Sequence, residues 1–194
     1  GLRRRARGRG PERLVRAGRF WASRLRIVSP SWSPARRMGY AAGLRACVQS
    51  IRRLHRQVPP IFVLRPNGQE VTIADVDGVL PFAAAPYDRI PRVSEYFGRE
   101  VFYKLEVFRS RGFQRVVYLD CDTLAVGDIS ALWDLNQYRD HQLYGVLEQA
   151  DLGVAPELYG VMNTGVLVIN EPLLDDRVYE RLFALALSGR SYDR

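Results

Sequence analysis

Two carboxylates stand two residues apart where an apolar run ends, in Val116-Val117-Tyr118-Leu119-Asp120-Cys121-Asp122-Thr123. Along an extended chain residues i and i+2 point to the same side, so Asp120 and Asp122 can converge on one cation while Cys121 faces away. Open α/β sheets bind ligands beyond the carboxyl ends of their strands. Paired carboxylates there suit Mg²⁺ or Mn²⁺, which take oxygen ligands and bridge to substrate phosphates. An Asp-x-Asp alone is a common polar turn, and a second copy occurs at Asp75-Val76-Asp77. The surrounding set decides. Lys104 is the single lysine in a chain whose other cationic positions are all Arg.

The elements that would position these residues follow from periodicity. Apolar spacing predicts a helix over residues 40–56, through Leu44, Cys47, Val48, Ile51 and Leu54. Strands are expected at Leu25–Val28, Ile61–Leu64, Val71–Ile73, 116–120, Leu143–Val146 and Gly165–Ile169. Pro66-Asn67-Gly68 reads as a turn, and residues 77–98 as irregular connection. Val101, Leu105 and Phe108 have helical spacing, with Gly112 as a stop. Ile129, Leu132 and Trp133 suggest a short helical turn, and Asp175-Asp176 open a last helix at its positive end. Helix and strand alternate, so the fold class is α/β with a mainly parallel, Rossmann-like sheet.

Composition sets the frame. The 194 residues are 47% hydrophobic, enough for one cored domain or most of a larger one. No apolar run approaches the roughly 20 residues that span a membrane, and no apolar stretch near Gly1 reads as a leader. Two cysteines make no disulfide framework. Residues 1–56 hold 16 Arg against one acid, Glu12, while the rest is net acidic. The division expected is a basic, disordered segment over 1–39 and a catalytic region over 40–194. The Arg run could bind a polyanion, but no aromatic residues interleave it for single-strand stacking, so no specific nucleic acid is expected.

Both Asp-x-Asp segments resemble the first motif of haloacid-dehalogenase-type phosphatases, where the first Asp is a nucleophile. Those enzymes need a later Lys, and Lys104 lies upstream of Asp120. That reading stands as an alternative, beside a non-catalytic fragment with a polyanion-binding tail. A fuller resemblance covers Tyr40 to about Leu187. Four elements occur in order: Tyr40-Ala-Ala-Gly-Leu-Arg-Ala-Cys-Val-Gln-Ser50, Tyr103-Lys-Leu-Glu-Val-Phe108, the segment from Val116 to Leu124 continuing through Gly127-Asp-Ile-Ser-Ala-Leu-Trp133, and Met162-Asn-Thr-Gly-Val-Leu-Val-Ile-Asn-Glu-Pro172. The set resembles the glycogenin-like, family 8 glycosyltransferases.

That resemblance implies a GT-A-type nucleotide-sugar-binding fold. It also implies a retaining, metal-dependent transfer of a hexosyl or related group from a UDP-sugar to a hydroxyl acceptor. It implies Mn²⁺ (or Mg²⁺) on Asp120 and Asp122, and donor contacts from Lys104, Asp120, Cys121, Asp122, Asn163, Thr164 and Gly165. Lys104 and Asp151 are the implied catalytic side chains. Where the family cradles uracil with a Thr-rich turn, this chain has only Ser29 and Ser31. The family's third metal ligand is a His downstream of Arg194. His55 and His141 are not placed to replace it, and His55 is expected at the surface. The chain is therefore expected to be a piece of a longer one, incomplete at its C-terminus. Donor sugar, acceptor, oligomeric state and compartment (cytoplasm, or Golgi lumen behind an N-terminal anchor) are not readable from it.

Overall fold

The computed structural model describes residues 23–28, 34–69, 74–91, 99–109, 111–147 and 162–189. Six strands form one sheet: β1 (Ser23–Val28), β2 (Ile61–Pro66), β3 (Gly78–Phe82), β4 (Arg115–Asp120), β5 (Leu143–Leu147) and β6 (Met162–Asn170). Their order is β3-β2-β1-β4-β6-β5. The first four strands run parallel, while β6 is antiparallel to β4 and β5 antiparallel to β6. The mainly parallel α/β sheet expected from the alternation of elements is present.

β4 is the keel of the molecule. Arg115 through Leu119 are all buried, the pattern of a strand covered on both faces. Alternation divides its side chains between two cores. Val116 and Tyr118 join Leu64, Phe82, Tyr87, Phe102, Tyr103, Leu167, Ile169 and Tyr179 on one face. Val117, Leu119 and Cys121 join Leu44, Cys47, Val48 and Ile51 on the other. The second face is covered by α1 (Pro34–Leu54), which puts Leu44, Cys47, Val48 and Ile51 on one stripe. The first is covered by the 3₁₀ segment Arg99–Phe108 and by α2 (Asp176–Ser188). α2 is capped at both ends: Asp175 accepts from the Arg177 amide at 2.8 Å, and Gly189 turns left-handed at φ 68°.

Several expectations change. The helix predicted over 40–56 begins at Pro34. β1 lies at the centre of the sheet between β2 and β4, so part of the segment assigned to a disordered 1–39 belongs to the sheet. The connection expected over 77–98 contains β3, a partly buried edge strand that tolerates Pro81 because an edge does not need every ladder donor. Residues 71–73 lie outside the described residues. The segment 99–108 is 3₁₀ rather than α, and it buries Phe102, Tyr103, Glu106, Val107 and Phe108. Among the described residues no helix is long and apolar enough to cross a membrane.

A buried carboxylate anchors that segment. Glu106 is 2% exposed. It accepts from Tyr87 Oη at 2.8 Å and Arg109 Nε at 2.8 Å. Arg109 in turn stacks 3.8 Å from the ring centre of Tyr179 on α2. Burial and the Glu106 charge push the Tyr87 phenol far up, so it stays a donor. Burial opposes the charge on Arg109, but the attraction and hydrogen bonds of Glu106 and Tyr179 together hold its guanidinium above its ordinary range. The turn that carries Lys104 is thereby tied to α2 and to the 3₁₀ turn Ala85–Arg89.

Candidate functional site

The strand order reverses direction at β1, whose neighbours are β2 on one side and β4 on the other. Such a switch point opens a crevice at the carboxyl ends of the strands. Asp120 is the last residue of β4 and registers with Val28, the last residue of β1. The motif thus sits at the mouth of the crevice.

β4's alternation aims its end. Cys121 falls on the α1 side and is 3% exposed. Burial, reinforced by Asp122, pushes its thiol up to about 12, and that of Cys47 likewise. Cys121 can therefore meet a ligand only through its main chain. Asp122 is exposed, and the turn is closed by the Thr123 amide donating to the Asp120 carbonyl at 3.1 Å. α1 and His55, the residue just after it, then hold the motif and the chain that leaves it at three points. A Cβ at Gly43 would stand 3.0 Å from the Cys121 carbonyl oxygen, so α1 approaches this closely only without a side chain there. The Ala125 amide donates to Ser50 Oγ at 3.0 Å, and the Ile129 amide to His55 Nε2 at 3.3 Å. His55 Nδ1 lies 3.4 Å from Asp128, and the ring packs edge-on to Trp133. His55 is thus not the surface residue expected: its side chain is 7% exposed and works as a strap.

Asp120 falls on the opposite face, toward Lys104. Lys104 Nζ lies 3.5 Å from Asp120 Oδ2 and donates to Thr164 Oγ1 at 2.9 Å. Tyr118 Oη donates to Asp120 Oδ1. The Tyr118 phenol is raised by burial and then by Asp120, which keeps the donor protonated. Sequence reasoning missed Tyr118, although the same i, i+2 rule that pairs Asp120 with Asp122 pairs Tyr118 with Asp120.

β6 brings the third group. Its register with β4 reaches Val166↔Leu119, and one further step sets Gly165 opposite Asp120. A Cβ at Gly165 would lie 3.3 Å from Asp120 Oδ2 and 3.0 Å from Asn163 Oδ1. The Gly165 amide donates to Asn163 Oδ1 at 2.8 Å, a local side-chain turn. On the β5 side the register jumps from Gly145↔Leu167 to Val146↔Asn163, so Thr164, Gly165 and Val166 have no counterpart in β5. Such an irregularity re-aims side chains beside a site. Lys104, Asp120, Thr164 and Gly165 are therefore brought together with Asn163. Asp151, Ser29 and Ser31 lie outside the described residues.

The second Asp-x-Asp is elsewhere. Asp77 precedes β3 and accepts from the Ile61 amide at 2.6 Å and Arg52 Nη2 at 2.5 Å, at the amino ends of β2 and β3.

A sequence profile described as glycosyl transferase family 8 matches residues 46–177. No curated protein matches the chain. Among solved structures, the chain is similar to the galactosyltransferase LgtC in complex with donor and acceptor sugar analogues. That match has 19% identity and a TM-score of 0.60, over 87% of this chain and 64% of that one. It is also similar to the glycosyltransferase GlyE of Streptococcus pneumoniae TIGR4, with 16% identity and a TM-score of 0.56, over 88% of this chain and 40% of that one. The chain therefore spans less than two thirds of either relative. At these identities the likeness shows the fold, which is of the GT-A type.

Proposed function

The chain belongs to glycosyl transferase family 8, and on that premise we propose that it serves a retaining transfer of a hexosyl group from a UDP-sugar to a hydroxyl acceptor, dependent on Mn²⁺ or Mg²⁺. The observation that carries this reading is the convergence of Lys104, Asp120 and Thr164 at the mouth of the switch-point crevice.

The residues present fit a hard divalent cation. Asp120 and Asp122 would supply oxygen ligands, and the space beside Asp120 Oδ2 exists because Gly165 has no side chain to fill it. Among the described residues no group of three or more His, Cys, Asp or Glu gathers for a metal. When bound, the cation would act as a Lewis acid that neutralises the departing diphosphate.

The chain's own side chains do the rest in this proposal. Lys104 presents a compact charge to the diphosphate as the glycosidic bond breaks and negative charge accumulates on the leaving group. Tyr118 holds one oxygen of Asp120 and fixes the carboxylate's plane. Asn163, Thr164 and Gly165 line the position of the sugar hydroxyls, and Asp151 is kept as the second catalytic side chain. Residues 40–194 together with β1 make up the catalytic region.

The test is a thermal-shift measurement on the full chain with Mn²⁺ plus UDP. A rise in melting temperature that disappears in Asp122→Ala supports the reading. A wild-type chain that does not respond overturns it. A salt-sensitive RNA interaction that survives Asp122→Ala would instead favour a polyanion-binding fragment.

A further inference from the structure

The Lys104 ammonium is held by groups of the site itself. It sits 3.5 Å from Asp120 Oδ2, is bonded to Thr164 Oγ1 at 2.9 Å, and stands 5.5 Å from the centre of the Tyr118 ring. Asp120 Oδ1 is taken by Tyr118 Oη. Both oxygens of the carboxylate thus have partners before any cation arrives, and its charge is answered by the one lysine of the chain. The lysine side chain is 21% exposed and that of Asp120 34%, so this pair is less screened than one on the open surface.

We infer that Lys104 is the resident counter-ion of Asp120, which a metal must displace, and that this displacement couples metal binding to nucleotide binding. This rests on Asp120 being a donor-site metal ligand. An ammonium and a divalent cation cannot share Asp120 Oδ2 without like-charge repulsion. Metal alone must move Lys104 to a position with no anion. Metal arriving with a diphosphate gives the ammonium a new partner within the same crevice. Until that displacement the Thr164 hydroxyl holds the lysine tip beside Asp120. Mn²⁺ alone then binds weakly, UDP strengthens it, and by linkage Mn²⁺ strengthens UDP by the same factor.

The experiment is a Mn²⁺ titration of the full chain, read by the electron paramagnetic resonance of the free aquo ion, with and without UDP. The wild type is compared with Lys104→Met, which keeps the half-buried stem and removes the charge, and with Lys104→Arg, which keeps the charge. Lys104→Met is expected to bind Mn²⁺ alone about tenfold more tightly, within the ordinary range of such couplings, and to gain less from UDP. Lys104→Arg is expected to stay near the wild type without UDP. Lys104→Met binding Mn²⁺ alone no more tightly than wild type, while UDP still enhances Mn²⁺ binding in wild type, overturns the counter-ion role and leaves the donor site standing. No Mn²⁺ uptake by any of the three proteins, with or without UDP, overturns both.

Discussion

The molecule contains two Asp-x-Asp sequences built on one packing plan and put to opposite uses. In each, the middle residue turns into the α1-side core: Val76 packs against the cluster that holds Cys121. The first pair stands before β3 at the amino ends of the parallel strands, the second at the carboxyl end of β4. Asp77 spends one oxygen on the Ile61 amide and Arg52 and so joins β2, β3 and α1. Asp75 takes a left-handed φ of 68° and gives its carbonyl to Arg52 Nε at 3.2 Å. Asp122 remains exposed, and Asp120 faces a lysine across a glycine. An acidic pair at the amino end finds main-chain donors to staple; at the carboxyl end it finds the crevice.

Substitution should separate the two. Asp77→Ala is expected to lower stability by about 2 kcal/mol, the scale of a charge-assisted hydrogen bond with its donor left unpaired. Chemical denaturation measures this, and Mn²⁺–UDP binding should persist below the transition. Asp122→Ala should do the reverse, with stability changed by no more than about 0.5 kcal/mol, as for other exposed positions. A large stability loss in Asp122→Ala would erase the distinction.

The glycine beside each pair sharpens the contrast. Gly165→Ala would press a methyl against Asp120 and Asn163. It should weaken Mn²⁺–UDP binding about tenfold, the equivalent of roughly 1.4 kcal/mol, in a calorimetric titration. Gly78→Ala would meet the Phe62 ring at 2.9 Å instead. Its effect belongs in the melting temperature, with binding unchanged.

The last contrast concerns alkaline pH. Burial, and then Asp122, raise the Cys47 and Cys121 thiols from 9.0 to about 12. The folded state then holds protons that the unfolded state releases. Stability is fully present below about pH 9 and is lost as pH rises from there toward about 12. Cys47→Ala should flatten that alkaline slope in pH-dependent unfolding.

Much of this was legible in the residues. β4 was, because a run buried on both faces has no polar interruption until Asp120. The Gly165–Ile169 part of β6 and the helix opened by Asp175 were, for similar local reasons. What escaped depended on distant partners. β3 was hidden because Gly78 and Pro81 suit an edge that borrows its order from β2. His55 looked solvated within a basic run, but Trp133 and the Ile129 amide, far along the chain, bury it. The antiparallel direction of β6 carries no signature in an apolar run, since periodicity is the same either way. Tyr118 was visible as an apolar strand residue, and only its bond to Asp120 reveals a second role.

α1 joins the two acidic pairs physically. Gly43 lies on the Cys121 carbonyl and Arg52, about 13 Å further along the helix axis, reaches Asp75 and Asp77. Fraying of the helix's last turn therefore does not stay local. It loosens the rod against which the far turn rests, and the Thr123 amide that closes that turn becomes a reporter of it. Hydrogen exchange at Thr123 should follow the opening of α1 as one cooperative unit, so the crevice inherits its rigidity from a fastening at the other end of the sheet.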